Sequence, residues 1–154
     1  MHREDFPILK QDLIYFDNGA TTLKPQVVID SITDYYTNYT ANAHRGDYDN
    51  SLKVDIKYEE VRTKVKNFIH CDSEKEVVFT SGATDSLNRI VFGFMKYYLK
   101  AGDEVLITKA EHASNVLPWL ELEKELSILV KYIPLENHLV KLENVEKAIT
   151  EKTK

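Results

Sequence analysis

Small and hydroxyl-bearing residues follow an apolar run near the middle of this 154-residue chain. Residues 77–79 are typical of a buried strand, and the chain then turns through Ser81 and Gly82 before a helical pattern begins at Thr84. The first amides of a helix have no partner inside it, and the helix dipole adds positive potential there. Such a turn can hold a phosphate, and the hydroxyls of Ser81 and Thr84 can donate further hydrogen bonds to it. The same residues also fit an ordinary helix cap, in which Ser81 bonds a backbone amide.

A histidine follows the next apolar run, residues 104–108. His112 lies beside Glu111, and an imidazole at this place can stack on a planar ligand or move protons. The alternative is a loop histidine that bonds a backbone group. If the two strands are parallel neighbours, this histidine and the Ser81–Thr84 turn share one rim of the sheet, because both follow strands directly.

Two other groups could carry chemistry. His44 and Arg45 lie in a loop, where the guanidinium could bind a carboxylate bidentately or remain solvated. Cys71, the only cysteine, is either a thiol activated by His70 or an inert side chain. The histidines show no metal-ligand spacing, so no metal site is predicted.

Alternating strand and helix patterns position these side chains. A parallel sheet with helices on its faces is predicted from this alternation. Pro25 suits a helix start, and Pro118 fits only the first turn of its helix. The predicted strands are residues 13–16, 77–79, 104–108 and 127–133, and the predicted helices are residues 25–42, 51–69, 84–98, 115–125 and 140–149, after a short helical or irregular arm at residues 1–13.

Composition narrows the functional class. The net charge of −5 provides no basic field for nucleic acid. No apolar run approaches the roughly 20 residues that span a bilayer, and a single cysteine permits no internal disulfide. A cytoplasmic protein with no membrane or nucleic-acid partner is therefore expected.

Four segments together resemble a known family. They read YFDNGATTLKP at residues 15–25, AHRG at 43–46, VFTSGATDSLN at 78–88 and EHASNVLPW at 111–119. In this order they resemble the N-terminal portion of a cysteine desulfurase of the class V aminotransferase family, in its sulfur-mobilisation branch. These enzymes use pyridoxal 5′-phosphate (PLP). The resemblance implies an α/β fold, the PLP-dependent transferase fold type I, present in part.

The resemblance implies two regions and a set of cofactor contacts. Residues 1–50 correspond to the N-terminal arm, first helix and substrate loop, and residues 51–154 to the first, truncated part of the PLP-binding large domain with its mixed or parallel sheet. Ala83 and Thr84 match the pair that holds the cofactor phosphate. His112 matches the catalytic histidine that stacks on the pyridine ring and is implicated in proton transfer.

Substrate contacts are implied in the same way. Gly19 and Ala20 match a small-residue turn near the bound cysteine, and His44 and Arg45 match the loop at the substrate entrance, near the dimer interface. Ala83 replaces a threonine common in this branch, and Asp85 stands where a glutamate is usual.

The covalent chemistry of the family lies further along. The Schiff-base lysine, the aspartate at the pyridine nitrogen, the nucleophilic cysteine and the substrate-carboxylate arginine would follow Lys154, so the chain is expected to be a fragment that is inactive alone. The implied reaction converts L-cysteine to L-alanine and leaves sulfur as a persulfide for a sulfur-acceptor protein and iron–sulfur cluster assembly, in a homodimer when complete. The alternatives are a fragment of another class V lyase or aminotransferase, or a non-catalytic dimerising remnant.

Overall fold

The computed structural model describes residues 2–154, which form two compact units that meet in sequence between Val77 and Val78. Each unit is described by itself. The predicted division into residues 1–50 and 51–154 concerns functional regions and stays a prediction.

The first unit is built from helices. The predicted helical arm is found as two short 3₁₀ turns. The predicted second helix is confirmed within two residues at each end, as the 20-residue α2. No helix within residues 2–154 has both the length and the hydrophobicity that a membrane span requires. The elements are the 3₁₀ turns Arg3–Asp5 and Pro7–Lys10, α1 (Gln26–Asp34) continued by a π-helical turn (Tyr35–Tyr39), α2 (Asp49–Phe68) and a 3₁₀ turn Glu74–Glu76.

The second unit alternates helices with strands. The strand predicted at residues 104–108 is confirmed, and β1 and β2 pair in parallel, with Glu104 opposite Leu129 and Thr108 opposite Ile133. A short antiparallel hairpin, β3 with β4, was not predicted. The elements are α3 (Ala83–Ile90), a π-helical turn (Val91–Met95), α4 (Lys96–Tyr98), β1 (Glu104–Thr108), α5 (Ala113–Leu126), β2 (Leu129–Ile133), β3 (Leu135–Glu136), β4 (Leu139–Val140) and α6 (Leu142–Ala148).

Two of the predicted strands are wrong. Residues 13–16 and 77–79 do not belong to either sheet, and Phe16 is 93% exposed while Val78 is 70% exposed. A strand needs a neighbour in hydrogen-bonding register as well as β-branched and aromatic residues. Within residues 2–154 the parallel sheet consists of β1 and β2 alone, so these two runs keep strand-like composition without strand pairing.

The start of α5 also corrects a prediction. This helix begins at Ala113, two residues earlier than expected, so Pro118 lies in its second turn. A proline there has no N–H to give the carbonyl of Ser114 four residues earlier. The helix nevertheless begins at Ala113, because His112 caps that end with its own side chain.

A small apolar cluster holds the second unit together. Val91, Leu99, Leu122 and Ile128 are buried against one another. Val91 lies in the π-helical turn and Leu99 follows α4. Leu122 lies in α5 and Ile128 precedes β2, so the cluster joins the helices to the sheet. Partly buried Met95, Val105, Trp119 and Leu126 pack around it.

Glu104, at the start of β1, is a buried carboxylate with a complete set of partners. It is 4% exposed, and its two oxygens accept hydrogen bonds from the Lys131 ammonium at 2.6 Å and the Thr150 hydroxyl at 2.7 Å. Its amide donates to the carbonyl of Lys152, and its carbonyl accepts from the amide of Lys154. The residue therefore ties the last residues of the chain to the sheet.

Acidification is expected to remove the stability that Glu104 provides. The Lys131 ammonium and the Thr150 hydroxyl hold the pKa of Glu104 below its ordinary value. Because the folded pKa is the lower one, the stabilisation is fully present above the unfolded value and is lost as the pH falls through the folded value. Thermal unfolding between neutral pH and about pH 3 should show wild type well above Glu104→Gln at neutral pH, with the gap closing in acid.

The matched control for this prediction is Glu121→Gln. Glu121 is exposed on α5 and, within residues 2–154, forms an ion pair with Lys124 alone, and surface pairs of this kind contribute little. Its melting curves should follow wild type at every pH. A Glu104→Gln gap that persists unchanged in acid would contradict the assignment.

Candidate functional site

The turn before α3 has the backbone that the anion-site prediction requires. Gly82 caps the helix with φ of +148° and ψ of 177°, a conformation that is nearly exclusive to glycine. No side chain caps this end of α3, and a Cβ on Gly82 would meet nothing within 4 Å. The first amides, those of Ala83 and Thr84, therefore open onto free space.

Asp85 stabilises the turn from inside the helix. One carboxylate oxygen accepts from the amide and the hydroxyl of Ser81, both at 3.2 Å, and the other accepts from Arg89 Nε at 2.8 Å. These bonds, the Ser81 amide first and Arg89 next, lower the pKa of Asp85. Asp85 is thus a paired carboxylate that reaches back over the turn. The alternative of an ordinary helix cap, in which Ser81 accepts a hydrogen bond from a helix amide, is wrong for α3.

At the start of α5, His112 is the capping residue. Its Nδ1 accepts a hydrogen bond from the amide of Ser114 at 3.1 Å. This bond satisfies one of the helix amides that has no partner within the helix. It also holds the exposed imidazole in one orientation, since the ring now has a fixed partner on one edge.

Thr84 and His112 are brought together through Ser114. The Ser114 hydroxyl lies 2.9 Å from Thr84 Oγ1 and 3.0 Å from His112 Nδ1. The N-terminal turns of α3 and α5 are therefore linked by one chain of polar atoms. The two segments are therefore close in space, but the predicted reason is wrong, because residues 77–79 belong to no sheet and the segments do not share a rim of one.

Glu111 does not serve as the proton partner of His112. Its carboxylate accepts from the Asn115 amide group and from the Thr108 hydroxyl, both at 3.0 Å. These two bonds, Asn115 first, lower the pKa of Glu111. The residue closes the loop between β1 and α5, which fixes the position of the His112 backbone.

An open groove runs beside the linked helix ends. It has a volume of about 330 Å³ and lies between α3 and α5. Thr84 and Ser114 lie on its wall together with apolar Phe92, Leu117 and Pro118. The hydroxyl pair is consequently reachable from solvent.

In the first unit, the predicted substrate residues lie in two separate turns of the chain. Ala20 donates its amide to the carbonyl of Asp17 at 3.1 Å, which closes a tight turn around Gly19. Tyr15 donates its hydroxyl to the carbonyl of Thr21 at 2.5 Å and so spans this turn. The turn presents small side chains and open space, since a Cβ on Gly19 would touch nothing within 4 Å.

The His44–Arg45 loop is anchored by α2. The His44 amide donates to Asp55 at 2.6 Å, and the imidazole lies 3.7 Å from Glu59. Gly46 packs so closely on buried Ser51 that an added Cβ would approach the Ser51 hydroxyl to 2.7 Å. Arg45 is exposed and forms no ion pair with any residue between 2 and 154, so its guanidinium is available to a carboxylate.

The surroundings of Cys71 favour the inert form of its thiol. Partial burial of the thiol, and then the nearby Glu76 carboxylate, raise its pKa. The thiol is therefore protonated at neutral pH, which favours the inert alternative. Within the described residues, no group of three or more His, Cys, Asp or Glu side chains could hold a metal ion.

The sequence as a whole decides the family. The model of the class-V aminotransferase family matches residues 14–154. The chain belongs to the class-V aminotransferases. The glycine-capped helix and the capping histidine described above are thus features of a class-V aminotransferase chain.

Curated relatives and solved structures refine this assignment. A probable cysteine desulfurase from Borreliella burgdorferi is 44% identical over 99% of this chain and 38% of its own length, and one from Ureaplasma parvum is 43% identical with the same coverage. The solved cysteine desulfurase from Thermococcus onnurineus superimposes with a TM-score of 0.87 at 37% identity, covering 94% of this chain and 36% of that protein. A cysteine desulfurase from Escherichia coli gives 0.83 at 30% identity, covering 98% and 38%. The chain therefore spans a little over one third of these relatives, and the predicted resemblance and fold type I are confirmed.

The described residues fit part of a PLP site. The open amides of Ala83 and Thr84 suit a phosphate, and the oriented, exposed ring of His112 suits a planar aromatic group. Gly82 leaves room at the turn for the phosphate to approach the backbone.

The sequence prediction missed Ser114. Its position two residues after a histidine, just inside a helix, was the available signal, because helix caps bond to the second or third helical residue. The predicted start of α5 at Asn115 places Ser114 outside the helix and so conceals this cap.

Proposed function

We propose that this class-V aminotransferase chain contributes the phosphate cradle and one ring-facing wall of the PLP site in a cysteine desulfurase. The observation that carries the proposal is the link from Thr84 through Ser114 to His112, with contacts of 2.9 and 3.0 Å. A phosphate donor and an aromatic ring-facing side chain are thereby within reach of one cofactor molecule. The identity to cysteine desulfurases across nearly the whole chain supports the same reading.

The amides of Ala83 and Thr84 bind the phosphate, and the α3 dipole favours its negative charge. Ala83 serves through its backbone alone, so the absence of a threonine hydroxyl at this position leaves both main-chain donors in place. His112 lies against the cofactor ring and fixes its orientation. When bound, PLP supplies the electron sink for cleavage of the carbon–sulfur bond.

Substrate recognition falls to the first unit. Arg45 lies at the substrate entrance, where its exposed guanidinium, which forms no ion pair within residues 2–154, attracts the carboxylate of incoming L-cysteine. His44 orients the loop through Asp55 and Glu59. Gly19 and Ala20 leave space for the bound cysteine at their turn.

The whole protein would convert L-cysteine to L-alanine and leave the sulfur as a persulfide. We further propose a cytoplasmic homodimer that passes this sulfur to an acceptor protein for iron–sulfur cluster assembly. No lysine and no cysteine of residues 1–154 is assigned to the Schiff base or to the nucleophile. The relatives' lengths, of which this chain covers 36–38%, leave room for those groups elsewhere.

Phosphate binding can be measured on the 154-residue chain itself. We expect inorganic phosphate and pyridoxine 5′-phosphate, which has no aldehyde to react with surface lysines, to shift the amide signals of Ala83 and Thr84 in ¹H–¹⁵N spectra. Thr84→Val keeps the amide and loses the hydroxyl, and should weaken binding by about tenfold or more, the value of one hydrogen bond to a charged group. The control variant is Thr63→Val, at an exposed position of α2, which should leave phosphate binding unchanged. Shifts scattered over lysine-rich surfaces, with none at α3, would refute the cradle.

The activity requires the complete gene product. Supplied with L-cysteine, PLP and a thiol that reduces the persulfide, it should release alanine and sulfide in equal amounts. Alanine without sulfide would indicate another class V reaction, and a gene product without cofactor absorbance would indicate a non-catalytic protein.

A further inference from the structure

The geometry points to Ser114 as a positioning residue that holds His112 as the neutral tautomer with its proton on Nε2. The catalytic meaning of this inference rests on the proposed function, whereas its structural content rests only on the start of α5. Ser114 acts through its amide and its hydroxyl together.

The amide settles which ring nitrogen carries the proton. The Ser114 N–H is 3.1 Å from His112 Nδ1, and a backbone amide can only donate. Nδ1 must therefore be the acceptor, with no hydrogen of its own. In a neutral imidazole the proton is then on Nε2, since the partner of one nitrogen sets the state of the other.

The hydroxyls take their direction from this acceptor. With Nδ1 unprotonated, the Ser114 hydroxyl can only donate to it across 3.0 Å, sharing the single lone pair with the amide, and the Thr84 hydroxyl in turn donates to Ser114 across 2.9 Å. Each hydroxyl has a single proton. A phosphate at α3 therefore either takes the Thr84 proton away from Ser114 or is held by the amides alone, and in both cases Ser114 keeps its bond to the ring.

Protonation of the His112 ring would disturb this hydrogen-bonded arrangement in two ways. An imidazolium carries hydrogens on both nitrogens, so the Ser114 amide would lose its acceptor and the Ser114 hydroxyl would have to change from donor to acceptor. The new positive charge would also lie at the positive end of the 14-residue helix α5. While the cap holds, His112 offers a flat face and one Nε2–H donor.

Nitrogen NMR on the chain labelled with ¹⁵N-histidine tests this directly at neutral pH. The ring correlations of His112, identified by their absence in His112→Gln, should show an unprotonated Nδ1 and a protonated Nε2. The other four histidines serve as internal references. A proton on Nδ1, or an even mixture of tautomers, would overturn the inference.

Variants at Ser114 separate the hydroxyl from the amide. Ser114→Ala keeps the amide bond, and should lower the ratio of Nε2–H to Nδ1–H tautomer about fivefold, the equivalent of one neutral hydrogen bond. Ser114→Thr should restore the ratio. Ser73→Ala, which removes a capping hydroxyl in the first unit, should leave it unchanged. An unchanged ratio in Ser114→Ala would remove the hydroxyl from the proposal.

The outcome is independent of cofactor binding. If the chain fails to bind phosphate but His112 shows the Nε2–H tautomer, the proposed function fails and the role of Ser114 stands. If phosphate binds at α3 while His112 carries its proton on Nδ1, the cradle stands and the role of Ser114 fails.

Discussion

Replacing Leu122 by alanine is expected to lower the free energy of unfolding by about 2–5 kcal/mol. Leu122 has no exposed surface and lies at the centre of the apolar cluster with Val91, Leu99 and Ile128. Its removal leaves a cavity among groups that come from four different segments, so the site has little means of collapsing around the gap. Urea unfolding followed by circular dichroism and by Trp119 fluorescence measures the change.

Leu117 provides the control on the same helix. It is 59% exposed, and exposed substitutions away from special features usually change stability by no more than about 0.5 kcal/mol. Equal losses for Leu117→Ala and Leu122→Ala would show that α5 does not pack as described. A loss of the fluorescence transition in Leu122→Ala alone would show that the second unit no longer unfolds cooperatively.

Replacing Gly82 by alanine is expected to cost about 1–3 kcal/mol and to abolish phosphate binding at α3. The space around Gly82 is open, so the cost does not come from a collision. It comes from a backbone with φ of +148°, which a residue with a Cβ rarely adopts. The turn must then change shape, which displaces the amides of Ala83 and Thr84 that follow it. Unfolding curves and the phosphate titration measure the two effects.

Gly93→Ala is the matched control for the backbone argument. Gly93 lies in the π-helical turn, also with open space around it, but its φ is not positive. Alanine is favoured over glycine in helices by about 1 kcal/mol, so this variant should be as stable as wild type or more stable. If both glycine variants behave alike, the strained backbone at Gly82 is not what shapes the turn.

Local patterns predicted the elements whose signals are local. The helix α2 was placed within two residues at each end, and β1 at its observed bounds. Residues 77–79 have the same strand-like composition as β1 but pair with neither strand of the sheet. Pairing depends on which segments are adjacent in space, and composition does not encode that. The same reason accounts for residues 13–16.

The hairpin of β3 and β4 escaped prediction because its turn carries an uncommon pair. Asn137 and His138 both have positive φ, as a tight two-residue hairpin requires. The usual signal for such a turn is asparagine or aspartate followed by glycine. With histidine in the second position of the turn, residues 135–140 do not carry the usual hairpin signal.

The sequence predicts some residues of the candidate site and misses others, because part of the site depends on where α5 begins. Thr84 and His112 were identified from the resemblance, and the structure joins them. The joining residue, Ser114, depends on where α5 begins, and helix boundaries depend on capping bonds that involve side-chain rotamers. Glu111 is adjacent to the histidine in sequence, but hydrogen bonds to Thr108 at the end of β1 and Asn115 in α5 hold its carboxylate.

The π-helical turn between α3 and α4 changes how this region is compared with other proteins. Each residue advances an α-helix by about 100°, so a helical wheel drawn without interruption from Ala83 to Tyr98 assigns the wrong face to residues on one side of Val91–Met95. This explains why Phe94 and Tyr98, on the apolar stripe of such a wheel, are exposed while Val91 is buried. An alignment that opens a one-residue gap within this turn keeps both faces in phase, whereas an ungapped one does not.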